Sequence, residues 1–352
     1  MTGLPELVAI PVPPAFGSSL GQARIRVMAE DFRVTEIPVC EPAGEGEHLW
    51  LRVRKRGANT AWVARQLARW AGVGPGAVGY AGLKDRHAVT EQWFSIHLPG
   101  RADPDIGACA IEGVELLASR RHGRKLRRGA LRGNRFGIRL RDLDADPAAL
   151  QSRIEALRRA GCPNAFGVQR FGRDAGNLEA ARRLLGGERR RLRREERGLY
   201  LSAARSELFN RVLAARIEAG TWGRPLPGDR MQLNGRRSLF AIERPDEEVM
   251  ARAAALEIHP TGPLCGRGEP LADLSPVEQA VLAPWSDWIE GLDRAGVEAD
   301  RRSLRVRVDD LHCAFDVPGE ALLTFTLPAG SFATVLLDQL LDVEDAAREA
   351  AA

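Results

Sequence analysis

A carboxylate, Asp85, stands between two cations in the stretch Val78-Gly-Tyr-Ala-Gly-Leu-Lys-Asp-Arg-His-Ala-Val-Thr90. Val78 to Ala81 reads as a short buried strand, Gly82 ends it, and the apolar run Trp93 to Leu98 resumes the sheet. Charges placed just past a buried strand are tolerated when paired, and they collect at sites more than in plain cores. An aspartate carboxyl is ionised at neutral pH without help. It becomes a nucleophile or base once water is stripped from it and a cation holds its charge. The competing reading of an isolated Lys84-Asp85-Arg86 is a surface turn with a salt bridge. His87 and His97 lie near Asp85 in sequence, but a histidine beside a strand is more often structural than a catalytic base. No Ser-His-Asp spacing is visible.

Composition narrows the classes around that carboxylate. The chain has 352 residues, with 44% apolar and 28% charged content. That is an ordinary globular chain, long enough for two domains. No apolar run reaches the length of a membrane span, and Met1-Thr-Gly-Leu-Pro-Glu-Leu lacks the basic-then-apolar pattern of a secretory signal. Cys40, Cys109, Cys162, Cys265 and Cys313 are far apart and form no Cys-x-x-Cys pair. They read as unrelated thiols in a reducing cytoplasm, and no metal site is expected.

The net charge of +4 hides a strong clustering. Arg120 to Arg141 holds ten basic residues with no acid between them, among them Arg124, Lys125, Arg127 and Arg128; a second cluster runs from Arg189 to Arg194. Such a run favours counter-ions or a polyanion. A solvated surface strand and loop is the plainer alternative. Exposed aromatics beside it would suit base stacking, and Phe32, Phe136 and Phe332 are candidates, although an isolated Phe is more often core. Asn134 can read a base edge or hold a turn.

The elements that must position these residues follow from periodicity. Arg24 to Val27, Phe32 to Ile37 and His48 to Arg54 alternate apolar with polar, as half-buried strands do. Asn59 or Thr60 can cap a helix running to about Ala71. Gly74-Pro-Gly-Ala-Val-Gly79 matches a dinucleotide fingerprint in letters only, because a helix precedes it and a strand follows. Gly113 to Ala118 and Asn134 to Arg141 read as strands, and Asp146 to Ala160 as a helix. From about residue 161 the pattern turns helical: Gly176 to Leu185, Leu201 to Ala219, Asp246 to Leu256 and Pro276 to Ala295, joined by Pro/Gly-rich pieces at Gly223 to Gly228 and Pro260 to Pro270. Ser303 to Val308, Leu311 to Val317 and Ala321 to Leu327 return to strands, and Gly330 to Leu341 reads as a closing helix. The expectation is an α+β fold: a core with a mixed or antiparallel sheet built from both chain ends, residues 1–159 and 307–352, interrupted by a largely helical domain over 160–306.

Five segments carry a resemblance. Ala81-Gly-Leu-Lys-Asp-Arg-His-Ala-Val-Thr-Glu-Gln-Trp93, Leu131-Arg-Gly-Asn-Arg-Phe136, Pro163-Asn-Ala-Phe-Gly-Val-Gln-Arg-Phe-Gly172, Leu201-Ser-Ala-Ala-Arg-Ser-Glu-Leu-Phe-Asn210 and Leu327-Pro-Ala-Gly-Ser-Phe-Ala-Thr334 resemble, in order, the signatures of the TruD family of pseudouridine synthases. Ala165 departs from the Tyr that is common there.

The resemblance implies a pseudouridine-synthase core with the family's inserted TRUD domain, and isomerisation of uridine to pseudouridine at position 13 of tRNA. It implies Asp85 as the catalytic residue and no cofactor. Uridine contacts fall on Phe32, Asn134 and Phe332. Arg26 is the basic partner of Asp85, Lys84 and Phe136 support it, and Phe136 stands where other synthases carry Tyr. Arg124, Lys125, Arg127 and Arg128 would meet RNA phosphates. A monomer acting on tRNA, away from membranes, is expected. The alternatives are a synthase acting on another RNA, or an RNA-binding protein without catalysis. A dehydrogenase built on Gly74 to Gly79 fails on context.

Overall fold

The structure is a computed structural model that describes residues 4–188, 191–268 and 274–349. Arg189 and Arg190 of the second basic cluster, and Pro270, lie outside the described residues. The fold is α+β, and the chain divides into two compact units. One comprises Leu20–Ile154, Asp309–Gly330 and the chain from Leu341 on; the other comprises the chain up to Ser19, Glu155–Val308 and Ser331–Leu340.

The first unit is organised by one mixed sheet. Its strands are β1 (Gly21–Ile25), β2 (Phe32–Pro38), β3 (His48–Arg56), β4 (Val78–Tyr80), β5 (Val89–His97), β6 (Val114–His122) and β7 (Leu131–Ala145), together with Asp309–Val317, Glu320–Pro328 and Asp342–Asp345. Across the sheet the order is Asp309–Val317, Glu320–Pro328, β7, β2, β5, β3, β6, with β4 paired to β5 and β1 paired to both β7 and Asp342–Asp345. The β2–β5 and β1–Asp342–Asp345 pairs are parallel. Both chain ends therefore build the sheet, as the alternating patterns at either end predict.

Helix α1 (Thr60–Trp70) lies on one face. Val63 and Leu67, four residues apart, are buried in one cluster with Leu49, Leu51, Val53, Phe94 and Ile96. Burying each such side chain contributes about 1.5–3 kcal/mol. Register keeps the site residues on that same face. Lys55 stands opposite Thr90, Thr90 beside Val34, Val34 opposite Phe136, and Phe136 opposite Phe325. Two residues along, Glu36 stands opposite Asn134, and Asn134 opposite Leu327. Gly133 makes this seam possible. A Cβ there would stand 2.4 Å from the Leu327 carbonyl oxygen.

The second unit adds a small sheet to the expected helices. It holds helices Gly176–Leu185, Arg194–Glu218, Glu247–Ala254, Pro276–Leu282 and Ser286–Arg294, but also a four-stranded sheet ordered Leu239–Ala241, Arg230–Leu233, Ile258–Leu264, Asp300–Ser303. The Pro260 to Pro270 piece is thus no simple connection: its first half is a central strand. Its prolines cannot donate, but their carbonyls accept, as Pro260 does from Leu304 N at 2.8 Å. The expected helix from Pro276 to Ala295 breaks at Ala283–Trp285, where Pro284 removes a donor. The helix expected from Leu201 starts earlier, at Arg194. The closing helix is short, Ala333–Leu337, and strand Asp342–Asp345 follows it. The N-terminal stretch runs extended within this unit, pinned by Trp288 Nε1 donating to Pro5 O at 3.0 Å. No helix among the described residues is long and apolar enough to cross a membrane.

Candidate active site

Asp85 sits on the loop between β4 and β5, and both its carboxylate oxygens are engaged. Oδ1 accepts from His87 N at 2.9 Å, a turn that Asp forms readily. Oδ2 pairs with Arg26 Nη2 at 2.9 Å. Arg26 is the residue after β1 and takes a left-handed backbone, φ 54°. For a residue with a side chain that conformation costs about 1–2 kcal/mol. Such strain is tolerated where surroundings over-determine it, and it clusters at functional sites. Here the guanidinium lies 3.8 Å over the Phe32 ring and pairs on its far side with Asp345 Oδ2 at 2.6 Å. The Arg26 side chain is 9% exposed, whereas Asp85 keeps 37% of its surface. The carboxylate is therefore aimed outward from a largely buried cation. It is not desolvated in the free protein.

The loop is gripped from beneath by residues that sequence reasoning did not single out. Lys55, on β3, is fully buried. Its Nζ donates to the carbonyls of Ala58 at 2.8 Å and Asp85 at 2.7 Å, with Lys84 O at 3.4 Å. Burial pushes its pKa down to about 8; Asp85 opposes that shift and Lys84 adds to it. Thr60 Oγ1 accepts from Lys84 N at 3.0 Å and donates to Gln92 Oε1 at 2.9 Å, while Gln92 Nε2 donates to Gly82 O at 3.2 Å. These buried polar groups satisfy one another, so the network rigidifies the loop rather than loosening the core.

Lys84 differs from its expected place beside Asp85. Its Nζ turns away to Glu36 Oε2 at 2.7 Å, and both side chains are almost wholly buried. Glu36 Oε1 also accepts from Trp93 N. Gly82 leaves the room for this: a Cβ there would lie 3.1 Å from Lys84 Nζ. Arg86 is also turned away, donating to Gly57 O.

The aromatic candidates divide. Phe32 and Phe136 are buried and meet edge-on at 6.3 Å, and Phe136 stacks on Phe325 at 5.1 Å. They form the floor under Arg26 rather than an open stacking surface. Phe332 belongs to the second unit, half-buried with its ring 6.1 Å from that of Phe166. Asn134, on the same sheet face as Phe32 and Glu36, has a buried Oδ1 that no donor reaches. His97 stands at the far end of β5, stacked on His48 at 4.7 Å, well away from Asp85.

The basic run is not one surface. Arg139 and Arg141 bridge to Glu320, and Arg141 also to Asp31. Arg121 is half-buried, bound to Asp103 and three carbonyls. Arg128 lies 4.6 Å over the Tyr80 ring. Arg120, Arg124, Lys125, Arg127 and Arg132 are exposed. Of these, Arg124, Lys125, whose Nζ donates to Gly76 O, and Arg127 lie on the rim of a cavity of about 960 Å³ that His48, Trp50 and His122 also line.

The family model described as tRNA pseudouridine synthase D (TruD) matches the sequence over residues 18–188 and 187–340. A protein of that name from Methylococcus capsulatus is 49% identical over 347 residues, covering 98% of each chain. Another, from Xanthomonas campestris pv. campestris, is 48% identical over 354 residues, covering 96% of each. A crystal structure from Methanosarcina mazei assigned to TruD shares the fold, with a TM-score of 0.68 at 22% identity, covering 96% of this chain and 98% of that one.

Proposed function

The chain belongs to the TruD family, tRNA pseudouridine synthase D, and from that premise we propose that it converts uridine to pseudouridine in tRNA, at position 13, with Asp85 as nucleophile or base. The observation that carries this reading is the Asp85 carboxylate, aimed outward by Arg26 at 2.9 Å from a loop clamped by Lys55.

The reaction breaks the bond between uracil N1 and ribose C1′, turns the ring, and joins C5 to C1′; the C5 proton leaves as N1 gains one. Atoms and electrons balance without oxidant or water, so side chains suffice. Asp85 either attacks C1′ or takes the 2′ proton. Each carboxylate oxygen spends one lone pair on its anchor, leaving the others for the substrate. A uridine laid over the loop would strip the remaining water from Asp85, and in a drier site charge interactions strengthen. The target must leave its stack, which costs a few kcal/mol. Asn134 Oδ1, an acceptor lacking a donor, suits the N3–H of uracil. Phe332 is carried over as a uridine contact by its place in Leu327 to Thr334. Phe32 acts by carrying Arg26, and residues 160–306 are taken as the insertion in the catalytic core.

The test is pseudouridine mapping, by carbodiimide adduct and primer extension, on unmodified tRNA with no added cofactor. A stop at position 13 is the expected result. A stop elsewhere keeps the chemistry and changes the substrate, and no stop on any RNA that binds overturns the reading in favour of an RNA-binding protein.

Arg124, Lys125 and Arg127 should supply phosphate contacts. Changing all three to Gln is expected to weaken tRNA binding at least roughly tenfold and to flatten its salt dependence, each lost contact removing about 0.7–0.9 from the slope of log K against log salt. Equal affinity and slope for the triple variant would return this rim to ordinary solvated surface.

A further inference from the structure

In the second unit, two guanidinium groups share one aromatic ring. Arg302 lies 4.2 Å and Arg170 5.4 Å from the Phe166 centroid, and Arg170 is also 5.9 Å from that of Phe332. The turn that carries them is pinned at both ends. Asn210 accepts from Phe166 N and donates to Phe166 O, and Asn177 donates to Arg170 O. Burial lowers the pKa of both arginines; Arg302 falls to about 9, with Arg170 as the second cause. Arg302 is held against this repulsion by Asn164, whose backbone and side-chain oxygens accept from its Nε and Nη2.

Arg170 lacks a counter-charge. Its guanidinium makes one hydrogen bond, from Nη1 to Ser202 Oγ at 3.3 Å, and no carboxylate among the described residues offsets its burial. Its Nε is shut from solvent without an acceptor. At the same turn, Thr334 Oγ1 is also buried without a partner; it lies 3.2 Å from where a Cβ on Gly167 would stand. Buried polar groups are normally satisfied. Arg170 Nη2, by contrast, makes no hydrogen bond and is not shut from solvent, so the guanidinium can still take an acceptor from outside.

We propose that Arg170, with Phe166 and Phe332, forms a phosphodiester site for the RNA nucleotide whose base stacks on Phe332. The proposal deepens the functional reading above and rests on it. A guanidinium matches two phosphate oxygens at once, and aromatic faces accept a base of any sequence. A free anion would use Arg170 and leave Phe332 idle, whereas a nucleotide within an RNA strand uses both.

Equilibrium binding of unmodified tRNA over a salt series, in the Asp85→Asn background to prevent turnover, compares Arg170→Gln with Arg170→Lys. The Gln variant is expected to bind roughly tenfold more weakly and to lose about 0.7–0.9 from the salt slope, while Lys keeps the slope. A Gln variant with unchanged affinity and slope, whatever its thermal midpoint, overturns the proposal. Should that variant not fold, the same question is put to the wild-type protein with single methylphosphonate linkages flanking the target uridine. Loss of affinity at one of them supports the site, and indifference to all of them overturns it. Pseudouridine formation by the wild-type protein is scored on the same tRNA. Its absence would sink the enzymatic reading on its own, separately from any change in slope.

Discussion

Asp85→Asn is expected to remove pseudouridine formation, lowering kcat by at least about 10³-fold, while tRNA affinity stays within a few-fold of wild type. The size follows from what is lost. Removing a group that transfers a proton in the transition state costs about 10²–10⁴, and removing a nucleophile leaves only binding and positioning behind. The substitution is conservative in shape. Asn keeps one acceptor oxygen, which serves either His87 N or Arg26 Nη2. Arg26 keeps Asp345 at 2.6 Å, so the buried cation is not stranded. Thermal unfolding close to that of wild type, together with intact binding, separates lost chemistry from lost structure. Turnover by the Asn variant within about tenfold of wild type would exclude Asp85 as the reacting group.

Lys55→Met is the second large effect, and here activity and stability are expected to part. Lys55 is buried beneath the loop, where RNA cannot reach it, so KM for tRNA should hardly move. What is lost is the cation that fixes the Asp85 carbonyl at 2.7 Å. Misplacing a reacting group by about 1 Å can cost about 10²-fold, and that is the expected fall in kcat.

The pH dependence sharpens the test. In the unfolded chain the Lys55 amine titrates near 10.5, and in the folded protein near 8. Between those values the unfolded chain binds more protons, so this group makes stability rise with pH from about 8 to 10.5, having been least favourable below 8. Activity runs the other way, because the clamp loses its charge as pH rises through about 8. Rate and unfolding profiles of the Met variant should lack both trends. An unchanged kcat, or an alkaline decline that persists in Lys55→Met, would show that the clamp does not serve catalysis.

Much of this site was legible in the sequence, for definite reasons. Strands β2 and β3 announce themselves by alternation, and the charged triplet after Ala81 is conspicuous because it interrupts apolar runs. Arg26 came from the family resemblance, and the structure sets it against Asp85. The partners of the buried cations were not legible. Glu36 is 48 residues from Lys84, and the Asp85 carbonyl 30 from Lys55. Only the register of β2, β3 and β5 brings them together, and a sequence carries no direct mark of register. Asp345 was hidden for a different reason. Val335-Leu-Leu-Asp-Gln-Leu-Leu341 has the look of a long helix, which concealed the turn into strand Asp342–Asp345. Pro260 and Pro263 argued against the strand they occupy, because proline is normally an edge residue. The basic run misled by its uniformity: its members look alike in sequence, yet strand pairing gives Arg139 and Arg141 acidic partners and leaves Arg124 and Arg127 open.

The seam between β7 and Glu320–Pro328 also sets a timetable for synthesis. Arg139 and Glu320, which bond across it, are 181 residues apart. At a translation rate of about 5–20 residues per second, β7 leaves the ribosome roughly ten to forty seconds before its neighbour exists. During that interval the strand bearing Asn134 presents an unpaired edge of the kind that recruits other chains. Its dense arginines then act as gatekeepers, since like charges on two such edges repel. Arg139 and Arg141, which later pair with Glu320, are among these arginines.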